Sequence, residues 1–222
     1  MMASTSDPTD FAAMRSAMVA SQLRTTAVAD PRVITAMATV PRERFFAAQD
    51  AGLAYRDTAM PLGGGRSANS PMATGKLLTE ARLAKTDRVL LIGAATGYTA
   101  AVVSMLAADV VAVESDAALA AIARESLADR VNVTVVEGDL AAGHAASGPY
   151  DVLVVDGAVE RLPDALVEQL KPRGRIVTGI VDRGVTRLTS GVRSEFGAAL
   201  IDFADVDCVV LPGFAAPRTF SF

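Results

Sequence analysis

From residue 88 onward the chain repeats one pattern: a short, nearly all-apolar run rich in β-branched residues, followed by a helical stretch. The runs are Arg88 to Ile92, Val110 to Val113, Val131 to Val136 and Val152 to Val155. Strands joined through crossover helices are parallel, and helices on both faces of the sheet explain why these runs do not alternate apolar with polar. This feature constrains the fold more than any other. It predicts a doubly wound α/β sheet whose ligand crevice lies at the carboxyl ends of the strands. Leu162 to Leu170 reads as a further helix and Gly174 to Ile180 as a fifth strand. Thr186 to Arg193, Ala199 to Phe203 and Val206 to Val210 alternate without helical periodicity, which predicts an antiparallel end to a mostly parallel sheet.

Before the repeat, Asp7-Pro8-Thr9-Asp10 reads as a helix start, with Phe11, Met14, Met18 and Leu23 following at roughly helical spacing. Asp30-Pro31 repeats that signal ahead of Val33, Ile34, Met37 and Val40, and Pro41 stops the helix. Tyr55 to Pro71 reads as a loop, crowded with Pro61, Gly63-Gly64-Gly65, Ser67, Asn69 and Ser70. A segment so rich in glycine either approaches something closely or links two parts. Met72 to Leu83 then reads as a helix.

A chain of 222 residues that is 51% hydrophobic and 21% charged can bury a sizeable core as one domain. A net charge of -4 gives no basic field to neutralise phosphates, so neither nucleic acid nor an anionic membrane is expected as a partner. One cysteine, Cys208, and one histidine, His144, exclude an internal disulfide and a Cys/His zinc site. There is no long apolar span and no basic-then-apolar leader, so the cytoplasm is the expected compartment. Catalysis must therefore draw on carboxylates, hydroxyls, amides, backbone groups or a cofactor. His144 reads as a surface residue, Cys208 as a buried strand residue and Arg66 as a solvated loop charge, with pairing to a substrate carboxylate or phosphate as its second reading. Met14 and Met18 read as core packing or the edge of a cleft.

The strand ends carry the candidate site. The first repeat strand runs into Gly93-Ala94-Ala95-Thr96-Gly97-Tyr98, where glycines let backbone N–H groups approach a ligand. The second ends at Glu114, an acid placed to take both hydroxyls of a ribose. The third ends in Glu137-Gly138-Asp139, where a carboxylate can accept from an exocyclic adenine amine, and the fourth at Asp156. The loop lacks a second glycine two positions after Gly93, which disfavours a dinucleotide. A nucleoside without pyrophosphate fits better, and S-adenosylmethionine is the common one.

Met18-Val19-Ala20-Ser21-Gln22-Leu23, Asp30-Pro31-Arg32-Val33, Val40-Pro41-Arg42-Glu43-Arg44-Phe45, Ala54-Tyr55-Arg56-Asp57, Pro61-Leu62-Gly63, Ser70-Pro71, Arg88-Val89-Leu90, Gly97-Tyr98-Thr99-Ala100-Ala101-Val102 and Gly138-Asp139 carry a family resemblance. In order and spacing they resemble the landmarks of the protein-L-isoaspartate O-methyltransferases, over nearly the whole chain. The N-terminal helices and the stretch from Val40 to Phe45 are more specific than the nucleoside signature, which many methyltransferases share. The resemblance implies the class I S-adenosylmethionine-dependent methyltransferase fold, a doubly wound, mostly parallel seven-stranded sheet with an antiparallel C-terminal strand pair. Residues 1–70 would then form an N-terminal helical extension and substrate loop, and residues 71–222 a Rossmann-like core. It also implies a cytosolic repair enzyme with S-adenosyl-L-methionine as cofactor and an isoaspartate-bearing protein or peptide as substrate. Oligomeric state is left open. Ser67 and Asn69 would be catalytic; Gly93, Ala95, Gly97, Tyr98, Glu114, Asp139 and Asp156 would hold the cofactor, and no metal is implied.

Three departures from the family pattern bear on the site. The family's Gly-Gln-Thr-Ile-Ser-Gln is here Gly65-Arg66-Ser67-Ala68-Asn69-Ser70, so Asn69 stands at the catalytic serine position, where its amide can donate to a carboxylate. The acid before the glycine loop is Leu91 and the loop's central glycine is Ala95. Loss of a charge-assisted contact to the methionine ammonium costs about 1.5–3 kcal/mol. A small uncharged run after strand four becomes Asp156-Gly157-Ala158, and Asp156 is open to three roles: helix cap, anchor of the methionine moiety, or metal ligand. Two further readings follow: a lapsed enzyme that binds a nucleoside or protein partner, and an O-methyltransferase for another acceptor.

Overall fold

The computed structural model describes residues 10–215. Its centre is a seven-stranded sheet in the order β5-β4-β3-β6-β7-β8-β9. Strand β3 (Arg88–Ile92) lies between β4 (Asp109–Glu114) and β6 (Tyr150–Val159), and β5 (Val133–Glu137) forms one edge. On the other side β7 (Leu170–Asp182) is parallel to β6, whereas β8 (Val185–Ser194) is antiparallel to both β7 and β9 (Gly197–Ala204). The chain winds outward from β3 to β5 and then returns beside β3 as β6. The topological switch point therefore lies between β3 and β6, and a ligand crevice opens at their carboxyl ends.

The apolar runs are buried on both faces, as a doubly covered sheet requires. The register Leu90↔Leu153, Leu91↔Val154 and Ile92↔Val155 sorts these residues between two cores. Val89, Leu91, Val152 and Val154 pack with α3 (Pro71–Ala81), α4 (Tyr98–Ser104) and the N-terminal helices. Leu90, Ile92, Leu153 and Val155 pack on the opposite face with Leu166, Leu211 and Phe214. Among the described residues no helix is long and apolar enough to cross a membrane.

Helix α1 (Phe11–Met18) is capped by Asp10, whose side chain accepts from Ala13 N at 2.9 Å; Asp7 and Pro8 lie outside the described residues. The chain continues through a π-helical turn, Val19–Leu23, which keeps Met18 and Leu23 in the core. Helix α2 (Pro31–Thr39) starts where Asp30-Pro31 predicts, with the Asp30 carboxylate accepting from Arg32 N. Ser70 caps α3, which starts one residue before the predicted span and ends at Ala81.

Four expectations are corrected. The glycine-rich loop contains a hairpin of β1 (Met60–Gly63) and β2 (Arg66–Ala68), because Gly63, Gly64 and Gly65 all adopt positive φ at its tip. Val131 is fully exposed in a turn that delays β5 to Val133. The expected helix from Leu162 to Leu170 shrinks to one turn, α6 (Asp164–Val167), because Tyr150 N bonds Gln169 O and draws Leu170 into β7. The segment from Val206 to Val210 is not a strand, apart from one bridge between Val210 and Ala158. Side chains satisfy two of its amides: Cys208 N bonds Thr186 Oγ1 and Val209 N bonds Asn69 Oδ1.

Candidate active site

The glycine turn after β3 is built by backbone geometry. Gly93, Ala95 and Gly97 have φ of 83°, 50° and 102°. A Cβ on Gly97 would stand 2.9 Å from Leu127 Cδ1, so both conformation and packing demand glycine there. Ala95 holds a left-handed conformation that costs an L-residue about 1–2 kcal/mol. Its N–H is in return donated to Glu114 Oε2 at 2.7 Å.

Glu114 closes β4 and is wholly buried. Its Oε1 accepts from Ser115 N at 2.9 Å and Asp116 N at 3.0 Å. The Arg66 guanidinium completes the shell in a bidentate pair, with Nη1 on Oε1 and Nη2 on Oε2 at 3.1 Å. Arg66 is therefore a buried partner and not the solvated charge expected from sequence. It hangs from the β1–β2 hairpin, whose tip reaches Asp116: a Cβ on Gly64 would stand 3.2 Å from the Asp116 carboxylate. The hairpin thus lies across the end of β4, over the carboxylate that sequence assigns to a ribose.

The second half of the site gathers around Asp156. Asn69 Nδ2 donates to its Oδ1 at 2.8 Å and Thr99 Oγ1 to its Oδ2 at 2.5 Å. Asn69 is itself buried, and its Oδ1 accepts from Val209 N at 2.9 Å and Cys208 Sγ at 3.2 Å. The Val209 donor fixes the amide orientation, so one of the two Nδ2 protons is committed to Asp156. Arg42 is fully buried beneath this cluster, donating from Nε to Ala54 O at 2.7 Å and from Nη2 to Asn69 O at 2.6 Å. Its guanidinium lies 4.4 Å from the centroid of Tyr98 and 5.3 Å from that of Phe46. The buried Tyr98 hydroxyl has no hydrogen-bond partner among the described residues.

Asp139 stands apart from this cluster. It is exposed at the rim beyond β5, and its Oδ1 accepts from Ala141 N at 2.9 Å. Asp156 caps no helix, since α6 begins after Pro163. Among the described residues no group of three or more His, Cys, Asp or Glu is placed to hold a metal. Cys208 is half-buried outside any strand, with its thiol pushed up to about 12 by burial. His144 is half-buried too, its backbone held by Gln169 and Tyr150.

Sequence reasoning passed over Arg42 and Thr99. The signal for Arg42 was its place inside Val40 to Phe45; that for Thr99 was a hydroxyl in the first turn of the helix leaving the glycine turn. Ser67, Asn69, Thr99, Tyr98, Gly93, Ala95 and Asp156 line one cavity of only about 10 Å³. That is room for about one water. The residue types fit a nucleoside: Glu114 sits at the end of β4, and nothing lies within 4 Å of where a Cβ on Gly138 would stand at the end of β5. Arg66 and a ribose would nevertheless compete for Glu114.

Burial pushes the Asp156 carboxyl above its ordinary value, against the opposing pull of Thr99, Asn69, Arg42 and Arg66. A carboxyl whose folded value is raised contributes stability that is present below the unfolded value and lost as pH rises through the folded value. Asp156→Asn is therefore expected to melt at a higher temperature than wild type at pH 7, with the gap closing below about pH 4, near the reference carboxylate value. Scanning calorimetry of both proteins from pH 3.5 to 8 checks this, and a gap independent of pH would contradict it.

A sequence model of the family described as protein-L-isoaspartate(D-aspartate) O-methyltransferase matches residues 13–204. A protein-L-isoaspartate O-methyltransferase of Koribacter versatilis is 41% identical over 178 residues, which is 79% of this chain and 80% of that one. Protein-L-isoaspartate O-methyltransferase 1 of Rhodopseudomonas palustris is 37% identical over 211 residues, covering 93% and 86%. A solved structure titled protein-L-isoaspartate O-methyltransferase superposes with a TM-score of 0.79 at 25% identity, over 90% of this chain and 66% of the other. A Plasmodium falciparum structure, described as a complex with S-adenosyl-L-homocysteine, shares the fold with a TM-score of 0.76. With the matched span running from the first helix to the last strand, the chain belongs to the protein-L-isoaspartate(D-aspartate) O-methyltransferase family.

Proposed function

We propose that the chain transfers a methyl group from S-adenosylmethionine to the free carboxylate of an L-isoaspartyl residue in a damaged protein or peptide. It would act in the cytoplasm as a single domain, with residues 1–70 supplying the helical extension and substrate loop. One observation carries this reading. Two segments that bear the family resemblance, at Arg42 and at Gly97 to Thr99, meet Ser67 to Asn69, the turn from Gly93 and Asp156 around a single crevice at the switch point.

The acceptor is an ordinary carboxylate, ionised at neutral pH, so this site needs no general base. The cofactor would supply an electrophilic methyl on a sulfonium. The protein's part is to orient the acceptor and exclude water. Ser67, half-buried on β2, and the uncommitted N–H of Asn69 would hold the acceptor. Glu114, once free of Arg66, would take the ribose hydroxyls, and Asp139 at the rim the adenine amine. The Gly93–Tyr98 turn would present its backbone. Arg42 fixes the carbonyl of Asn69 and so the height at which the acceptor sits.

Radiolabelled methyl transfer to matched isoaspartyl and aspartyl peptides tests the reading. Label is expected on the isoaspartyl peptide alone. Absence of transfer from a protein that binds the cofactor would favour the lapsed enzyme or another acceptor.

A further inference from the structure

Among the described residues Asp156, unlike Glu114 beside it, lacks a cationic partner. Its bonded donors are a neutral amide, Asn69, and a neutral hydroxyl, Thr99. The charged groups around it are occupied elsewhere: Arg42 donates to two backbone carbonyls, and Arg66 is held bidentate by Glu114. The other titratable groups that face it, Tyr98 and Cys208, are pushed up by burial and stay neutral at physiological pH. Among the described residues Asp156 forms no ion pair. A carboxylate offers about four lone-pair sites, and the protein fills one on each oxygen, so acceptor capacity remains on the cavity side.

Its position is specific. Ile92 and Val155 are the last residues paired between β3 and β6; β6 itself runs on to Val159, so Asp156 lies within the strand and not at its end as sequence suggests, beside Gly93 at the mouth of the switch point. A Cβ on Gly93 would come within 3.7 Å of the Asp156 carbonyl oxygen. The bond from Thr99 of α4 puts the Asp156 side chain on the same face of the sheet as Val154 and its partner Leu91, which pack in the core with α4. Leu91 is sealed in the apolar core and can offer a ligand nothing. A half-buried anion with neutral donors is costly unless a cation completes it.

We infer that Asp156 binds the α-ammonium of the cofactor's methionine moiety. The inference rests on the proposed use of S-adenosylmethionine and assigns the residue that recognises its amino-acid end. An ammonium carries three N–H donors for the vacant lone pairs, whereas a sulfonium carries none. The Asn69 amide and the Thr99 hydroxyl hold the carboxylate in place for that contact. Because Asn69 also belongs to the acceptor side, Asp156 links the two halves of the site.

Isothermal titration of wild type and Asp156→Asn with S-adenosylhomocysteine and with 5′-methylthioadenosine tests this. The second ligand keeps the adenosine and thioether but has no amino-acid group. Asp156→Asn is expected to weaken S-adenosylhomocysteine at least tenfold and to leave methylthioadenosine unchanged, with Asp156→Glu recovering part of the loss. Titration of wild type in buffers of different ionisation enthalpy should also show proton release, absent in Asp156→Asn, because an ammonium lowers the carboxyl's proton affinity. Equal weakening of both ligands, or of neither, overturns the inference while leaving the cofactor reading intact. Failure of wild type to bind either ligand overturns both.

Discussion

Arg66→Gln should bind S-adenosylhomocysteine some ten- to a hundredfold more tightly than wild type. In the structure described here Glu114 is fully engaged, by three backbone N–H groups and by both ends of the Arg66 guanidinium. A ribose can reach those oxygens only after Arg66 withdraws. If the charge-assisted pair holds the hairpin shut by about 1.5–3 kcal/mol, the open form is roughly a tenth to a hundredth of the population. Apparent affinity falls by the same fraction. Glutamine keeps the length of the side chain and a neutral donor but gives up the bidentate charge. The hairpin has the build of a moving part: among the described residues β1 and β2 pair only with each other, and the tip is three exposed glycines. Calorimetry measures the affinity, and hydrogen exchange of the amides from Gly63 to Ser67 measures the opening without any ligand. Unchanged affinity together with unchanged exchange would show that the pair is not a latch.

The same residue shows what the sequence could and could not convey. The repeat strands, the caps at Asp30 and Ser70 and the switch-point crevice follow from local chemistry: β-branched runs, Asp-Pro and Ser-Pro starts, and the handedness of crossovers. They are found close to where the spacing puts them. Arg66 is a long-range matter. It sits among glycines and polar residues, as a solvated charge would, and only the hairpin's fold carries it 48 residues along the chain to Glu114. Val206 to Val210 fails for a related reason. Its alternation suits a strand, but its amides are taken by the side chains of Thr186 and Asn69, which no periodicity reveals. Asn69 itself was legible as a polar residue at the position where the family resemblance implies a catalytic serine. That its oxygen and one N–H are already spent on Val209 and Asp156 was not. Asp156 drew attention as an acid at a strand end, and three roles fitted it until the start of α6 after Pro163 removed the helix cap.

Arg42→Met is expected to destabilise the fold by about 3–5 kcal/mol, a large share of the roughly 5–15 kcal/mol that holds a typical domain together. Methionine fills much of the same space, so the loss is not mainly one of volume. What disappears is a pair of charge-assisted bonds to Ala54 O and Asn69 O and the stacking on Tyr98 and Phe46. The two carbonyls are left without their guanidinium donors where water has little access, and each such loss costs about 1–3 kcal/mol. Arg42→Lys should recover only part of this. A single ammonium does not reproduce a planar fork that spans two carbonyls while lying flat on a ring. Urea denaturation gives the stability, and an unchanged slope shows that the unfolded reference is the same. Methyl transfer in Arg42→Lys, measured well below its melting temperature, separates support of the fold from support of the site. Because Asn69 hangs from Arg42 by its carbonyl and reaches Asp156 by its amide, a loosened Asn69 should lower transfer by tenfold or more while the protein remains folded. A loss of stability below about 1 kcal/mol in Arg42→Met, within the ordinary range for surface changes, would mean that the two carbonyls find water or another donor. The Asn69 backbone would then have to be held by the Ser70 cap of α3 and not by the guanidinium beneath it.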